Sequence, residues 1–567
     1  MKNFNKGFKK PFKSERFEQR REFGFKRSEG RTVGTIIDLK DGDYYNGNVK
    51  IMRKTQPGPV IFTISDGYGS VDAVIKDSDF NVDDVVEIAG AVNERAGKLQ
   101  VEIDRIQKSK IDFNPIIEQN SEPVRKEFSI QSERFEKLRP YFYKIAKRIR
   151  KAVLENQSIM IRHHCDSDGI NAGMAIEHSC RKFMEKIGVN PDYNLYRSPS
   201  RAPFYEISDV FRDVVLTKRI IEGHGQKKPL IIVLDNGSTP EDVFGVKTLK
   251  SLGFEIIVID HHNPVVIENQ KNNVLPQFKE GGLNGTCFLD DPKLKPVNNN
   301  STLKNEVLIY GHKKTLVDPY ISFHLNPYLE GLDSKTCAAM LAYEVGRFVC
   351  EDYSENALPA VAGISDRCDI QETEDYIKKS GKERKELQEM GTAIDFIAYQ
   401  LKFDAGKGLF EEVYKNPEFV KIVNEEVRKG VETQLESTLP YLRTQDLNGV
   451  ILSTIDLEKY TMKFKYPAPG KVVGMIHDTV IVGKENMPVI TLGHLNDMII
   501  VRATKPVLPI AKMMKRIKKD LPHSHIEGGG HECAGALKFT SAHLNDILEN
   551  IKQQVRELNY LDNSKEE

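Results

Sequence analysis

The chain has 567 residues, with 82 Lys and Arg balanced by 82 Asp and Glu and 29% charged residues overall, which suits three or four soluble domains with ample core material. No apolar run approaches the roughly 20 residues of a membrane span, and the first residues are basic rather than apolar, so neither a membrane protein nor a secretory signal is expected. Seven cysteines without a C-x-x-C pair argue against a zinc ribbon and for reduced thiols in a cytoplasm.

Residues 1–30 interleave Phe4, Phe8, Phe12, Phe17, Phe23 and Phe25 with ten Lys and Arg against four Glu. Such a segment cannot build a core and reads as a disordered basic arm. It serves either as a solubilising tail or as an arm that neutralises phosphates and stacks bases on its rings.

From residue 31 to about 110 the hydrophobic period is two. Thr32 to Ile37, Asn48-Val49-Lys50-Ile51, Val60-Ile61-Phe62-Thr63-Ile64, Ser70 to Ile75, Val85 to Gly90 and Leu99 to Ile103 read as short strands separated by glycine-bearing turns. Five or six strands in that length fit a small closed barrel. Gly58 to Val71 resembles an OB-fold module of the nucleic-acid-binding kind, which makes Lys50, Arg53, Lys54 and Phe62 the candidates for backbone and base contacts. Residues 123–157 follow as a charged helical connector with an apolar face that includes Phe135, Leu138, Ile145 and Ile149.

Residues 158–370 carry the chemistry. The apolar run Ile159-Met160-Ile161 leads to His164-Cys165-Asp166-Ser167-Asp168-Gly169, and Leu230 to Leu234 leads to Asp235-Asn236-Gly237. Ile256 to Ile259 leads to Asp260-His261-His262, and Leu358 to Ile364 leads to Ser365-Asp366. Four apolar runs that each end in ligand-grade side chains predict one metal site at the carboxyl edge of a sheet. His164, Asp166 and Asp168 alternate, so on an extended chain all three project from one face, and Cys165 points away into packing. His261 and His262 would then face opposite ways, one toward metal and the other toward substrate. Judged singly, Asp235 suits a turn and Asp366 a helix cap.

Residues 371–445 read as a charged helical linker, and alternation returns at 446–560 in Gly449 to Leu452, Val472 to Ile476, Val489 to Leu492 and Met498 to Arg502. Arg502 at a strand end suits phosphate recognition, because its fork matches two oxygens. Gly528-Gly529-Gly530 permits close backbone approach with N–H groups offered to an anion, and His531 follows at the mouth of that loop. A final amphipathic helix and an acidic tail end the chain.

Taken in order, His164-x-Asp166-x-Asp168-Gly169, Asp235, Asp260-His261-His262 and Asp366 resemble the motifs of the DHH phosphoesterase superfamily, and Glu527 to His531 resembles the glycine-rich signature of its associated domain. Asn326-Pro327 and Tyr466 to Gly470 fall within the same match. With an OB-like module in front, the whole looks most like the archaeal RecJ-like single-strand exonucleases. The fold class expected is α/β and multidomain: an N-terminal OB-like β-barrel, a DHH parallel-sheet core and a C-terminal α/β DHH-associated domain.

By that resemblance His164, Asp166 and Asp235 hold one Mn²⁺ or Mg²⁺, while Asp168, Asp235, His261 and Asp366 hold a second. His262 meets the phosphoryl or leaving oxygen, Asp260 orients an imidazole, and Arg502, Gly528, Gly529, Gly530 and His531 bind substrate. The expected activity is hydrolysis of single-stranded DNA or RNA to mononucleotides in repair, recombination or replication, with repair or replication proteins as further partners. A small-substrate phosphoesterase (oligoribonucleotides, cyclic dinucleotides or pyrophosphate) and a replisome scaffold are the alternatives.

Overall fold

A computed structural model of the chain describes residues 31–55, 58–200, 202, 204–264, 314–463, 465–484, 487–531 and 533–558. The basic arm, the acidic tail and most of the polar stretch between Asn269 and Asn326, which its weak periodicity predicts as surface loop, lie outside the described residues; the described end of that stretch is instead a strand of the central sheet, Phe323–Leu325.

The first strands are β1 (Thr32–Val33), β2 (Tyr44–Thr55), β3 (Val60–Ser65), β4 (Ser70–Ile75), β5 (Val85–Arg95) and β6 (Lys98–Lys108). Their order is β1-β2-β3-β4-β6-β5, and β5 also pairs with β2, which closes five strands into a barrel with β1 appended. The alternating apolar residues fill its interior, among them Tyr45, Ile51, Phe62, Ile64, Val86 and Val101. The barrel is fastened to the next unit through the Asp66–Gly69 turn. Asn120 Nδ2 donates to Gly67 O at 2.8 Å, and Ser70 N donates to Ile187 O at 2.7 Å.

This packing removes Phe62 from the residues expected to contact bases. Phe62 is fully buried inside the barrel, so its ring cannot receive a base. The three cations are engaged within the protein: Lys50 pairs with Asp83 at 3.0 Å, and Arg53 lies 5.5 Å over the Tyr193 ring. Lys54 donates to Ser78 O at 3.1 Å. Alternation marked these residues as barrel strands but gave no sign of which face the neighbouring unit would cover.

The central unit is a five-stranded sheet in the order β11-β10-β9-β7-β8 with every pairing parallel. Its strands are β7 (Ile159–His163), β8 (Leu195–Pro199), β9 (Leu230–Leu234), β10 (Glu255–Ile259) and β11 (Phe323–Leu325). Successive residues feed opposite cores: Ile159, Ile161, Ile232 and Ile257 enter one cluster, and Met160, Ile231, Val233 and Ile256 enter the other. Burial on both faces is why these strands read as unbroken apolar runs. β7 lies between β8 and β9, so the chain reverses its direction of travel across the sheet there, opening a crevice at the carboxyl ends of β7 and β9.

Helices Glu133–Leu154, Ser167–Lys186 and Ala338–Val349 cover one face of this sheet, and Arg384–Leu401 packs against the helical layer outside it. Within Ala338–Val349, Glu344 is fully buried; its oxygens accept the Ser129 N–H at 3.1 and 3.0 Å and the Tyr376 hydroxyl at 2.7 Å. Burial pushes its carboxyl up to about 7, against the pull of Tyr376 and Ser129, from the ordinary 4.5. The folded chain therefore holds the proton more tightly than the unfolded chain. Stability from this group is full below about 4.5 and declines as pH rises toward 7, by roughly 1–3 kcal/mol in all. Glu344→Gln is expected to remove that part of the decline, read as a smaller shift in urea midpoint between pH 5 and 8 than in the parent chain. An unchanged shift would assign the slope to another group.

The C-terminal lobe is a mixed sheet in the order β12-β13-β14-β15-β17-β16. It comprises β12 (Arg443–Leu447), β13 (Val450–Asp456), β14 (Val489–His494), β15 (Met498–Ala503), β16 (Glu527–His531) and β17 (Ala534–Lys538). Two expected strands are helices. Leu358–Ile364 lies in Ala357–Ser365, and Val472–Ile476 lies in Pro469–Ile481, which starts on proline at its first turn. A short apolar run carries no period that separates a buried strand from a buried helix. Among the described residues no helix is long and apolar enough to cross a membrane.

Candidate metal centre

β7 stops at His163, one residue before the first candidate ligand. His164 lies in the turn, Asp166 is the N-cap of helix Ser167–Lys186, and Asp168 is in its first turn. The three therefore converge through a strand-to-helix turn and not, as alternation predicted, along an extended face. Asp166 Oδ1 accepts the Gly169 N–H at 3.0 Å, while Oδ2 lies 3.0 Å from His164 Nδ1. One carboxylate thus caps a helix with one oxygen and faces a ligand histidine with the other. Gly169 is required here, because a Cβ at that position would collide with the His164 carbonyl.

Asp168 crosses to another helix. Its oxygens accept the N–H groups of Ala338 and Ala339, each at 2.8 Å, at the start of Ala338–Val349. Two amides near the positive end of a helix fix the carboxylate while leaving its remaining lone pairs for the site.

Asp235 follows β9 with φ of 55°, a left-handed backbone that a non-glycine residue adopts at a cost of order 1–3 kcal/mol. Its amide donates to Ile259 O at 3.0 Å, holding the turn against β10. The carboxylate, almost fully buried, divides between two histidines. Oδ2 is 3.4 Å from His164 Nδ1, and Oδ1 is 3.3 Å from His261 Nε2.

His261 and His262 lie beyond the end of β10, so strand alternation does not separate them. Their rings meet edge to face with centroids 4.7 Å apart, and His262 Nδ1 is itself 3.8 Å from Asp235 Oδ1. The Nδ1 of His261 lies 2.7 Å from the Ser334 carbonyl, which can only accept, so that nitrogen carries the proton and Nε2 is left as the ligand atom. Asp260 Oδ1 accepts the backbone N–H of His261 at 2.7 Å, that of His262 at 3.2 Å, and His262 Nδ1 at 2.7 Å. Asp366 caps the end of helix Ala357–Ser365, and its Oδ2 is 3.7 Å from His261.

Three overlapping trios result, each with ligand atoms within 4.8 Å of one another: His164, Asp166 and Asp235; Asp168, His261 and Asp366; and Asp235, His261 and His262. Burial, then the charge of Asp235, pushes the Asp168 carboxyl well above its usual range, and burial with Asp235 moves Asp366 up to about 6. His261 is pushed well above its ordinary value: burial opposes the charge, but the carboxylates of Asp366, Asp235 and Asp168 prevail. Several buried carboxylates with too little positive charge among them, offering oxygen and imidazole donors and no thiolate, fit divalent cations such as Mn²⁺ or Mg²⁺.

The C-terminal lobe leans on this edge. Arg367, directly after Asp366, pairs with Asp478 at 3.0 Å, and Arg502 shares that neighbourhood. Burial and the nearby Arg367 lower the pKa of Arg502, with Asp478 opposing them. Lys471, in the first turn of helix Pro469–Ile481, pairs with Asp395 Oδ2, and Asp395 Oδ1 accepts the Ser167 N–H at 2.8 Å. Sequence reading passes over Arg367, Asp395 and Lys471: Asp395 sits mid-helix with no local signal, and Lys471 follows a Pro-Gly start in a region that alternation assigns to strands.

Gly528, Gly529 and Gly530 do not form the expected loop. They lie in edge strand β16, paired with Leu537, Ala536 and Gly535 of β17. A Cβ on Gly529 would stand 3.7 Å from a Glu241 carboxylate oxygen in the segment after Asp235, so the glycine strand faces the crevice edge closely. His531 ends β16, and its side chain lies outside what the structure describes.

Residues 158–288 match the family model for the DHH family, N-terminal domain. An uncharacterized protein of Methanocaldococcus jannaschii is 33% identical over 555 residues, covering 89% of this chain and 67% of that one. A solved DHH domain, from a member of the s1p family of ribosomal proteins, is 31% identical with a TM-score of 0.67, covering 77% of this chain and 95% of that one. RecJ from Thermus thermophilus in complex with Mn²⁺ is 13% identical with a TM-score of 0.46, covering 77% of this chain and 56% of that one.

Proposed function

The chain belongs to the DHH family, whose members are metal-dependent phosphoesterases, and on that premise we propose that it hydrolyses phosphodiester bonds of single-stranded DNA or RNA from an end, releasing mononucleotides. The observation that carries the reading is the divided carboxylate of Asp235, one oxygen toward His164 and the other toward His261. That is the arrangement a ligand shared by two cations requires. His164, Asp166 and Asp235 would hold one cation, and Asp168, His261, Asp366 and the second oxygen of Asp235 the other. When bound, such a pair neutralises phosphoryl oxygens and acidifies a water for attack.

The chain's own side chains orient the rest. Asp260 fixes the tautomer of His262 through Nδ1, leaving Nε2 of that ring to hydrogen-bond the phosphoryl or leaving oxygen. Arg367 and Arg502 offer guanidinium groups for the phosphate flanking the scissile bond. The closed N-terminal barrel supports a polymeric substrate, because a small ligand needs no such module on the chain.

The test uses strands of DNA and of RNA labelled separately at each end, incubated with Mn²⁺ beside a cyclic dinucleotide and pyrophosphate. Mononucleotide release from long strands is expected, and which label is freed first gives the polarity. Turnover of the small compounds alone would replace this reading with a small-substrate phosphoesterase. No turnover of any of them would point to a binding or scaffold role.

A further inference from the structure

After helix Pro417–Thr438 the chain turns through Leu439–Tyr441 before entering β12, and Tyr441 is left 53% exposed. Its ring stacks on Tyr460 with centroids 3.9 Å apart and planes 6° from parallel. Pinning an exposed ring flat against a second one removes rotamer freedom in advance, so a further planar group can stack at small entropic cost. The pair forms part of the wall of a cavity of about 570 Å³ lined only by residues of the C-terminal lobe and its entry turn, none of them a ligand of the metal centre.

The cavity's charge favours an anion. Arg443 lines it, exposed and with no ion pair among the described residues. Lys459 Nζ stands 5.7 Å over the Tyr460 ring, while Lys552 is neutralised by Glu549 at 2.5 Å. Asp456, which also lines the cavity, accepts the Lys459 backbone N–H at 3.0 Å and keeps its charge, so Arg443, Lys459 and Lys552 outnumber Asp456 and Glu549 by one positive charge. His494 lines the same cavity, and its Nδ1 is buried without a hydrogen-bond partner among the described residues.

The polypeptide itself joins this cavity to the catalytic edge. Eleven residues after Tyr460, Lys471 pairs with Asp395, which holds the Ser167 amide between Asp166 and Asp168. A chain of that length spans at most about 40 Å. A strand with its end at the metal centre has lysines and then a stacked aromatic platform along one continuous segment.

We infer that Tyr441 and Tyr460 form a base-stacking subsite for a single-stranded polynucleotide whose end lies at the metal centre, with Arg443 and Lys459 contacting its phosphates. The subsite rests on the polynucleotide reading above and adds to it a place where a base far from the scissile bond is held. Stacking is indifferent to which base arrives, so the subsite contributes affinity for length and little for sequence.

The full chain is mixed, in EDTA, with long DNA or RNA oligonucleotides carrying 5-iodouracil at successive positions, irradiated, and mapped by mass spectrometry. Crosslinks to Tyr441 or Tyr460 are expected from positions at a fixed distance from one end. Tyr441→Ala is expected to weaken binding of the long strand roughly tenfold and Tyr441→Phe to leave it unchanged. With Mn²⁺ restored, a dinucleotide should be cut equally by all three proteins. Wild-type strand affinity in Tyr441→Ala, with crosslinks falling elsewhere, would overturn the subsite while strand cleavage persisted. Failure of the polynucleotide reading has another signature: the parent chain then neither binds nor cuts the strand, and the subsite falls with it. Equal weakening by Tyr441→Ala of free-mononucleotide and strand binding would also overturn it, since the cavity would then be a small-nucleotide site.

Discussion

Asp235→Asn is expected to lower turnover of every phosphodiester substrate by at least about a thousandfold, the scale on which one electrostatic group at a reacting centre acts. The asparagine keeps the shape of the side chain but withdraws the charge that two histidines and two flanking ligand sets share. Without metal the substitution has two opposed effects: it relieves the repulsion that raises the Asp168 carboxyl, and it removes the charge that favours the protonated His164 and His261 imidazoles. The variant should therefore melt close to the parent in EDTA, yet lose most of the stabilisation that added Mn²⁺ gives the parent. Strand binding in EDTA should be retained. Near-parental cleavage, or an undiminished Mn²⁺ shift in melting temperature, would remove Asp235 from the metal centre.

Asp260→Asn is expected to reduce kcat by roughly 10- to 100-fold with KM little changed, as removal of a partner that orients a site histidine does. One oxygen of Asp260 accepts three N–H groups, two from the backbone of His261 and His262 and one from the His262 ring. An asparagine oxygen can still accept those bonds, so the turn survives. What is lost is the negative charge that favours the His262 tautomer and its protonated form. Steady-state kinetics on one end-labelled strand, with Mn²⁺ held in excess, separates the two parameters. A change confined to KM, or a loss matched by a fall in melting temperature of several degrees, would assign Asp260 to fold maintenance alone.

The candidate ligands were legible because each closes an apolar run, and burial of the central sheet on both faces makes such runs conspicuous. Alternation predicts their convergence for a partly wrong reason. Alternation from His164 to Asp168 is not what gathers these side chains; a helix begins at Ser167 and turns Asp168 toward the amides of Ala338 and Ala339. Likewise Leu358–Ile364 delivers Asp366 from the end of a helix, since nothing in seven apolar residues distinguishes a buried helix from a buried strand.

In the barrel, strand period alone misplaces Phe62. Period two told inside from outside well enough to predict a barrel, yet Phe62 fell on the inside and the cations beside it met Asp83, Tyr193 and Ser78. Which outer face stays open is decided by docking against the rest of the chain. The glycine run shows the same limit: three glycines permit a loop, and only pairing with β17 makes them an edge strand facing Glu241.

Sequence alone determined the closed barrel, the parallel core and the set of acids and histidines at its edge, because hydrophobic period and strand-end chemistry are local properties. Tertiary structure alone decided that Asp235 turns one oxygen to each histidine, that Lys471 and Asp395 tie the outer lobe to the Ser167 turn, and that Tyr441 lies flat on Tyr460. Those are relations between segments tens to hundreds of residues apart. Their energies depend on distance and orientation in space, which neighbours along a chain do not encode.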